Sequence, residues 1–456
     1  MTDELGNDGL LEICQVSLES LKDLTLKVFC NATPQRHRFV DCRALTEHQS
    51  LRIYEFSKFP IFCYSAVSYV WRGNTPEHPD PADGTFHVEG AEDGDPISID
   101  VLRQACLASI QEGCYYLWLD RLCILQDDQK DKAWQISQMY RIYKDCKTCI
   151  ILPAGLQCIV TLDKDTAWIH RSWTLQESLA PRKTFVLFSW DLGPGEIKAG
   201  DEFGIITEVV RSKSAVTGLS VIVDACVTGK LEFQPHPTQW NDYSGQMVTC
   251  KILGHETPSI LALGATLNET LAEDPDSRDH AIWKCALMRT SSRPIDMVFS
   301  VMGLFGVSLD TRAFGKHERL RATVALAREI LRKGGRACWL GLSLDLPLCE
   351  QISTFPQFPE TSVQGEARVR TADGEQEVAK MMEGHYPVST GLNRPLPEGQ
   401  MDDQGYLTFT CGSARAILYS APVGKTSCPS AMSAPPVTMV GCDAALSVRR
   451  FYRKAQ

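Results

Sequence analysis

An α/β fold, a parallel sheet with helices on both faces, is what this sequence predicts, and three observations carry the prediction. Apolar runs with strand character alternate with helical stripes from Tyr64 to Ser189, the pattern of a parallel sheet covered by helices. The stretch Leu117–Asp128, LWLDRLCILQDD, ends an apolar run abruptly on Asp120 and then presents an acidic pair, Asp127 and Asp128. That is how a buried strand delivers a carboxylate to a sheet edge before the chain turns into a helix. Punctuating residues also fall where the alternation needs them: Gly113 after one helical stripe, Pro153 and Gly155 after one strand, Pro181 after a short helix.

Taken in order, residues 1–60 are mixed. Leu24, Leu26 and Val28 alternate as in a short strand, and Asp41–Phe59 reads as a helix or irregular structure. Tyr64–Val70 is a strand that ends in Trp71-Arg72-Gly73, followed by a polar loop over Asn74–Pro96. Asp100 is the expected N-cap of a helix whose stripe is Leu102, Ala105, Cys106 and Ile110. Tyr115–Leu119 is the next strand. Asp127 or Asp128 caps the helix after it, where Ile136, Met139, Tyr140 and Tyr143 share one face. Thr148–Leu152, Ser172–Leu179 and Thr184–Ser189 read as strand, helix and strand. In such sheets the ligand crevice lies beyond the carboxyl ends of the strands, which places Ser68–Arg72, Asp120–Arg121 and Pro153–Gly155 at one edge.

Past Trp190 the pattern changes. Glu202–Val227 reads as a helix followed by a β-rich run, and Ser259–Glu273, Asp279–Met288, Pro294–Gly306 and Glu318–Lys333 read as helices. Pattern thus divides the chain into a mixed segment (1–60), an α/β domain (61–190), a mainly helical region (191–345) and a Pro/Gly-rich, irregular C-terminal region with short strands (346–456), of which Tyr406–Tyr419 is the most strand-like.

Composition narrows the function. The 456 residues are 44% hydrophobic and 22% charged with a net charge of −10, so no basic excess is available for nucleic acid or for an anionic membrane. The opening MTDELGNDGL has no secretory pattern, and no apolar run reaches spanning length; a soluble cytoplasmic protein is expected. The 18 cysteines read as reduced core residues. Cys146 and Cys149 form one C-x-x-C without a second pair, so no metal is expected. Ser68 lacks a nucleophile elbow, Cys123 has no histidine beside it, and no P-loop is present.

Three stretches resemble the fungal heterokaryon incompatibility (HET) domain. Ala66–Gly73, AVSYVWRG, resembles its opening motif, with Arg72 inserted before the glycine. Tyr116–Asp128 resembles its second motif, and Arg171–Glu177, RSWTLQE, its third. Arg293–Leu304 is similar to a downstream segment common in such proteins. HET domains in turn resemble the Toll/interleukin-1 receptor (TIR) fold, so a TIR/flavodoxin-like sheet is implied. SYVWRG resembles the turn after a TIR domain's first strand, and RSWTLQE the stretch carrying the catalytic glutamate of NAD-cleaving TIR domains. That glutamate falls on Glu177.

The resemblance implies non-self recognition that triggers programmed cell death, with NAD as a substrate and no cofactor. Glu177 is then the catalytic residue. Trp71 or Trp173 would stack on a base, Arg72, Arg121 or Arg171 would meet phosphate, Ser68 and Gly73 would let backbone approach the ligand, and Asp120 would line the site. The bland alternative for Glu177 is an ion pair with Arg171 or Arg182. Two other functions stand beside the enzyme: a non-enzymatic self-association or interaction module answering an unknown protein trigger, and a diverged inactive member.

Overall fold

The computed structural model of the protein describes residues 10–77, 84–235, 245–268, 273–342, 358–359, 367–371, 374–382, 397–412 and 445–448. In chain order the elements are β1 (Leu10–Ser17), α1 (Leu18–Leu21), β2 (Thr25–Leu26), β3 (His37–Asp41), α2 (Cys42–Glu47), β4 (Ser50–Phe56), β5 (Tyr64–Tyr69), β6 (Thr85–Val88), β7 (Ile97–Ser98), α3 (Ile99–Gln111), β8 (Tyr116–Trp118), α4 (Asp120–Cys123), α5 (Gln129–Asp145), β9 (Thr148–Leu152), α6 (Ser172–Leu179) and β10 (Thr184–Ser189). There follow β11 (Gly195–Ala199), β12 (Glu202–Val210), β13 (Ser214–Gly218), α7 (Leu219–Thr228), β14 (Lys230–Pro235), β15 (Gln246–Thr249), α8 (Pro258–Leu267), α9 (Pro275–Leu287), α10 (Asp296–Met302) and α11 (Arg319–Arg332).

Twelve strands form one sheet in the order β1-β4-β3-β8-β5-β9-β10-β13-β12-β11-β14-β15. The four in the middle, β8-β5-β9-β10, are parallel, and every pairing outside them is antiparallel. Counted along the chain from β5, the parallel strands stand in the order 2-1-3-4, the flavodoxin-like arrangement. From β5 the chain passes through α3 to β8 on one side, and from β9 through α6 to β10 on the other. The direction therefore reverses between β5 and β9, and the crevice belongs above that point.

Side-chain alternation along β5 shows a helix layer on each face. The Tyr64 hydroxyl donates to Ile142 O of α5 at 2.7 Å, and Ser68 bonds Glu177 of α6 at 2.6 Å. Ser65 points the other way and accepts from Ser109 of α3 at 2.9 Å. All six residues of β5 are buried, as a strand covered on both faces requires.

Several expectations are refined. Ser98, not Asp100, caps α3: its side chain accepts from Val101 N, and Asp100 lies in the first turn. Asp128 caps α5, accepting from the amides of Lys130 and Asp131. Residues 18–30 hold a helical turn, a two-residue strand and a 3-10 turn rather than one strand, while 42–56 divide into α2 and β4. Over 202–228 the expected order is reversed: β12 and β13 come first and α7 follows. The β-branched run of α7 lies between Gly218 and the left-handed Gly229 (φ +75°), and burial of nearly the whole helix overrides its local preference. The region expected to be mainly helical thus opens with β11–β15 and becomes helical from α8 onward. Residues 269–272, at the end of the predicted helix Ser259–Glu273, and 413–419, at the end of the predicted strand-like stretch, lie outside the described residues, as do 78–83 of the Asn74–Pro96 loop. Short strands beyond 367 form separate small sheets.

No helix among the described residues is long and apolar enough to cross a membrane.

Candidate functional site

β8 ends at Trp118, and two residues later Asp120 opens α4, which lifts its carboxylate above the sheet edge beside the end of β5. Three donors hold it there. Trp71 Nε1 donates to Oδ2 at 2.7 Å, the Tyr69 hydroxyl to Oδ1, and the Arg121 amide to Oδ1 at 2.6 Å. Asp120 therefore ties the carboxyl ends of two neighbouring parallel strands together.

Glu177 reaches the same edge from α6. It is 6% exposed, and its Oε2 accepts from Ser68 Oγ at 2.6 Å. Ser68 in turn accepts from Trp168 Nε1 at 2.9 Å. Burial pushes the Glu177 carboxyl up to about 8; the nearby charge of Asp120 adds to this, while Ser68, the Tyr143 hydroxyl and Arg289 oppose it. Glu177 makes no ion pair with Arg171 or Arg182 among the described residues, so the bland alternative for it does not hold. It is a buried, neutral-leaning carboxyl on a hydroxyl.

Between these acids lies a cleft of ≈150 Å³. Its walls carry Tyr69, Trp71, Tyr143 and Trp173, and Glu177, Asp120 and Lys132 face into it. Another wall comes from the loop leading into α10, with Ser291, Ser292 and Arg293, and from Asp296 at the start of that helix. Asp296 is raised by burial, against a hydrogen bond from Trp173 and the charges of Arg293, Lys132 and Arg171. Behind the cleft, Arg289 is 1% exposed. Its Nη1 donates to Arg171 O at 2.9 Å and Thr174 Oγ1 at 2.6 Å, pinning the first turn of α6. Burial lowers it to about 10, with Cys285 and Glu177 acting in the other direction. Sequence reading did not find Lys132, Arg289 or Asp296 as site residues; the similarity noted over Arg293–Leu304 was an available signal for Asp296 alone.

Of the residues expected at the site, Glu177, Trp71, Asp120, Arg171 and Trp173 line one cleft. Ser68 stands just beneath it, wholly buried under Glu177. Arg121 faces away: its guanidinium is fully buried and donates to the carbonyls of Asp95 and Ala91. Arg72 is exposed, with Nε on Asp93 O at 2.8 Å. Gly73 gives its space to the chain rather than to the cleft, since a Cβ there would lie 1.8 Å from Ala154 O. Backbone against backbone cannot yield by a rotamer change, so Gly73→Ala is expected to cost about 3 kcal/mol of stability. Gly218→Ala, whose Cβ would meet only Ser220 Oγ at 4.0 Å, is the milder comparison in urea unfolding, with a cost up to about 1 kcal/mol because Gly218 caps α7. Cys123 is buried and its thiol is pushed up to about 12, the reverse of what a nucleophile needs.

Neither the curated proteins nor the solved structures give a match to this chain. A family model does, described as "Heterokaryon incompatibility protein (HET)", over residues 64–163. That interval holds β5 through β9 with Asp120 and Lys132; Glu177, Arg289 and Asp296 lie beyond its end. Over residues 64–163 the chain carries a HET domain, and that domain supports a function of the heterokaryon incompatibility type.

Proposed function

We propose that the cleft is a TIR-like NAD glycohydrolase site through which the protein triggers programmed cell death in non-self recognition. The observation that carries this reading is the Glu177 carboxyl, held by Ser68 in an aromatic-walled cleft at the topological switch point.

The chemistry breaks the bond between ribose C1′ and the nicotinamide nitrogen. Nicotinamide leaves with the bonding pair as a neutral ring, and positive charge develops on the ribose. A carboxylate beside C1′ stabilises that charge, as in glycosidases. Water then adds to C1′ and releases one proton. Trp71 and Trp173 supply faces for the rings.

Glu177 must be ionised to act this way, and burial holds it mostly protonated at neutral pH. kcat/KM for NAD is therefore expected to rise with pH through about 8. The cationic nicotinamide ring favours the carboxylate once bound, so the kcat profile should rise at lower pH. Consumption of NAD by concentrated purified protein across this range tests the reading. An absence of NAD loss at every pH sinks it.

A further inference from the structure

Three cations converge on the cleft from three separate segments: Lys132 from α5, Arg171 from the turn before α6, and Arg293 from the loop before α10. None of them makes an ion pair or a side-chain hydrogen bond among the described residues, and Nη1 of Arg171 is buried without any partner. Other basic side chains find acids, as Arg336 does in Asp276 and Glu398, Arg332 in Glu329 and Lys164 in Glu77, or carbonyls, as Arg121 and Arg289 do. At the cleft the acids are otherwise engaged. Asp120 has both oxygens occupied and Glu177 sits on Ser68, while Asp93 stands exposed at the rim. The charge of Asp296 is coupled to all three cations, and Asp120 and Asp93 act on Lys132 as well.

We infer that Lys132, Arg171 and Arg293 form a diphosphate subsite, which makes the ligand of this cleft a phosphate-bearing nucleotide rather than a free nucleoside. This rests on the reading of the cleft as a nucleotide-cleaving site and adds the part of the substrate that holds it. Asp93, Asp120 and Asp296 line the same cleft, but none of them forms an ion pair with these cations among the described residues, so three sets of N–H donors are left to meet phosphoryl oxygens. Two guanidiniums offer paired N–H groups to phosphoryl oxygens, and the ammonium offers a point charge. Burial destabilises the charged forms of Lys132 and Arg171 in the empty cleft; an anion among them relieves that penalty. Glu177 and the aromatic walls then face the ribose and ring.

The test is calorimetric binding of inorganic pyrophosphate to the full chain, with turnover of NAD and of nicotinamide riboside measured in parallel. Arg293→Ala lies in an exposed loop and Lys132→Gln keeps a polar end on an aliphatic stem, so both should fold; thermal unfolding checks this. Each is expected to weaken pyrophosphate binding about tenfold or more, while Lys164→Ala, far from the cleft, leaves it unchanged. Nicotinamide riboside should be cleaved at least about tenfold less efficiently than NAD. Wild-type affinity for pyrophosphate in the two variants, no pyrophosphate binding by the wild type, or equally tight binding of inorganic phosphate overturns the diphosphate assignment. Cleavage of riboside as efficient as that of NAD also overturns it and leaves the hydrolase reading intact. Pyrophosphate binding lost in the variants, with NAD uncleaved by the wild type, removes the hydrolase reading and keeps the subsite.

Discussion

Glu177→Gln is expected to lower NAD turnover at least about 100-fold and to make the folded protein more stable. Both effects have one origin. The Glu177 carboxyl is buried and raised from 4.5 to about 8, so the folded state holds a proton that the unfolded chain has already lost at neutral pH. A carboxyl raised in this way contributes stability that is fully present below the unfolded value and is lost as pH climbs to the folded one. At pH 7 the difference amounts to about 3 kcal/mol. Glutamine keeps an acceptor for Ser68 and never ionises, so it escapes that loss. Its advantage in melting temperature should grow from about pH 4.5 to about 8 and then level off. A melting difference that does not change with pH would show that Glu177 is already ionised in the resting fold. A stabilised but inactive variant is the signature of a residue kept at a cost to the fold.

Asp131→Ala should have the largest effect in the other direction. The carboxylate is fully buried in the first turn of α5 and accepts from Leu125 N at 2.9 Å and Gln35 N at 2.5 Å. It also faces the wholly buried Arg38 of β3, whose Nη1 lies 3.1 Å from Oδ2 and 3.0 Å from Cys123 O. Among the described residues the only other acid within ion-pair reach of this guanidinium is Glu55, at 3.9 Å. Removing Asp131 strands a buried cation and two amides, a loss of about 3–5 kcal/mol. Urea unfolding measures it. The double variant Arg38→Met with Asp131→Leu should lose less than Asp131→Ala alone, because no charge is then left unpaired. A loss under about 1 kcal/mol in the single variant would mean that water reaches the pair. Cys123 O and Leu125 N bracket the end of α4, so the same change should loosen Asp120 at the cleft.

These two residues mark the boundary of what local pattern carries. Asp120 and Trp71 were legible because motif and strand end coincide: an apolar run stopping on a polar residue puts that residue at the sheet edge. Glu177, inside a helix, was legible only through the resemblance that RSWTLQE carries. β9, α6 and β10 have the bounds that their periodicity predicts. Asp131, by contrast, reads only as an acid in a first helical turn; nothing in its neighbourhood announces Arg38, which comes from the part of the chain where no motif was found. Arg289 is hidden for the same reason, since its meeting with α6 is a tertiary event, and Asp296 had only the similarity over Arg293–Leu304 to mark it. Asp100 and Ser98 are both good capping residues two positions apart, and backbone geometry chose between them. α7 was misplaced because its valines and isoleucine favour a strand locally while burial favours the helix.

The continuous sheet also governs the order in which the chain assembles. β11, β12 and β13 are sequential antiparallel neighbours and can zip after closing short loops. The parallel centre cannot. β8 pairs with β5 only after the whole of α3 has been made, and its other edge is closed by β3, at Val40 opposite Leu117. β9 must then cross back over β5, and β10 follows on its far side. Pairings this distant along the chain are slow to form. Until they do, the apolar edges of Tyr64–Tyr69 and Thr148–Leu152 stand open, and in a newly made chain those are the surfaces most exposed to association with other unfinished copies.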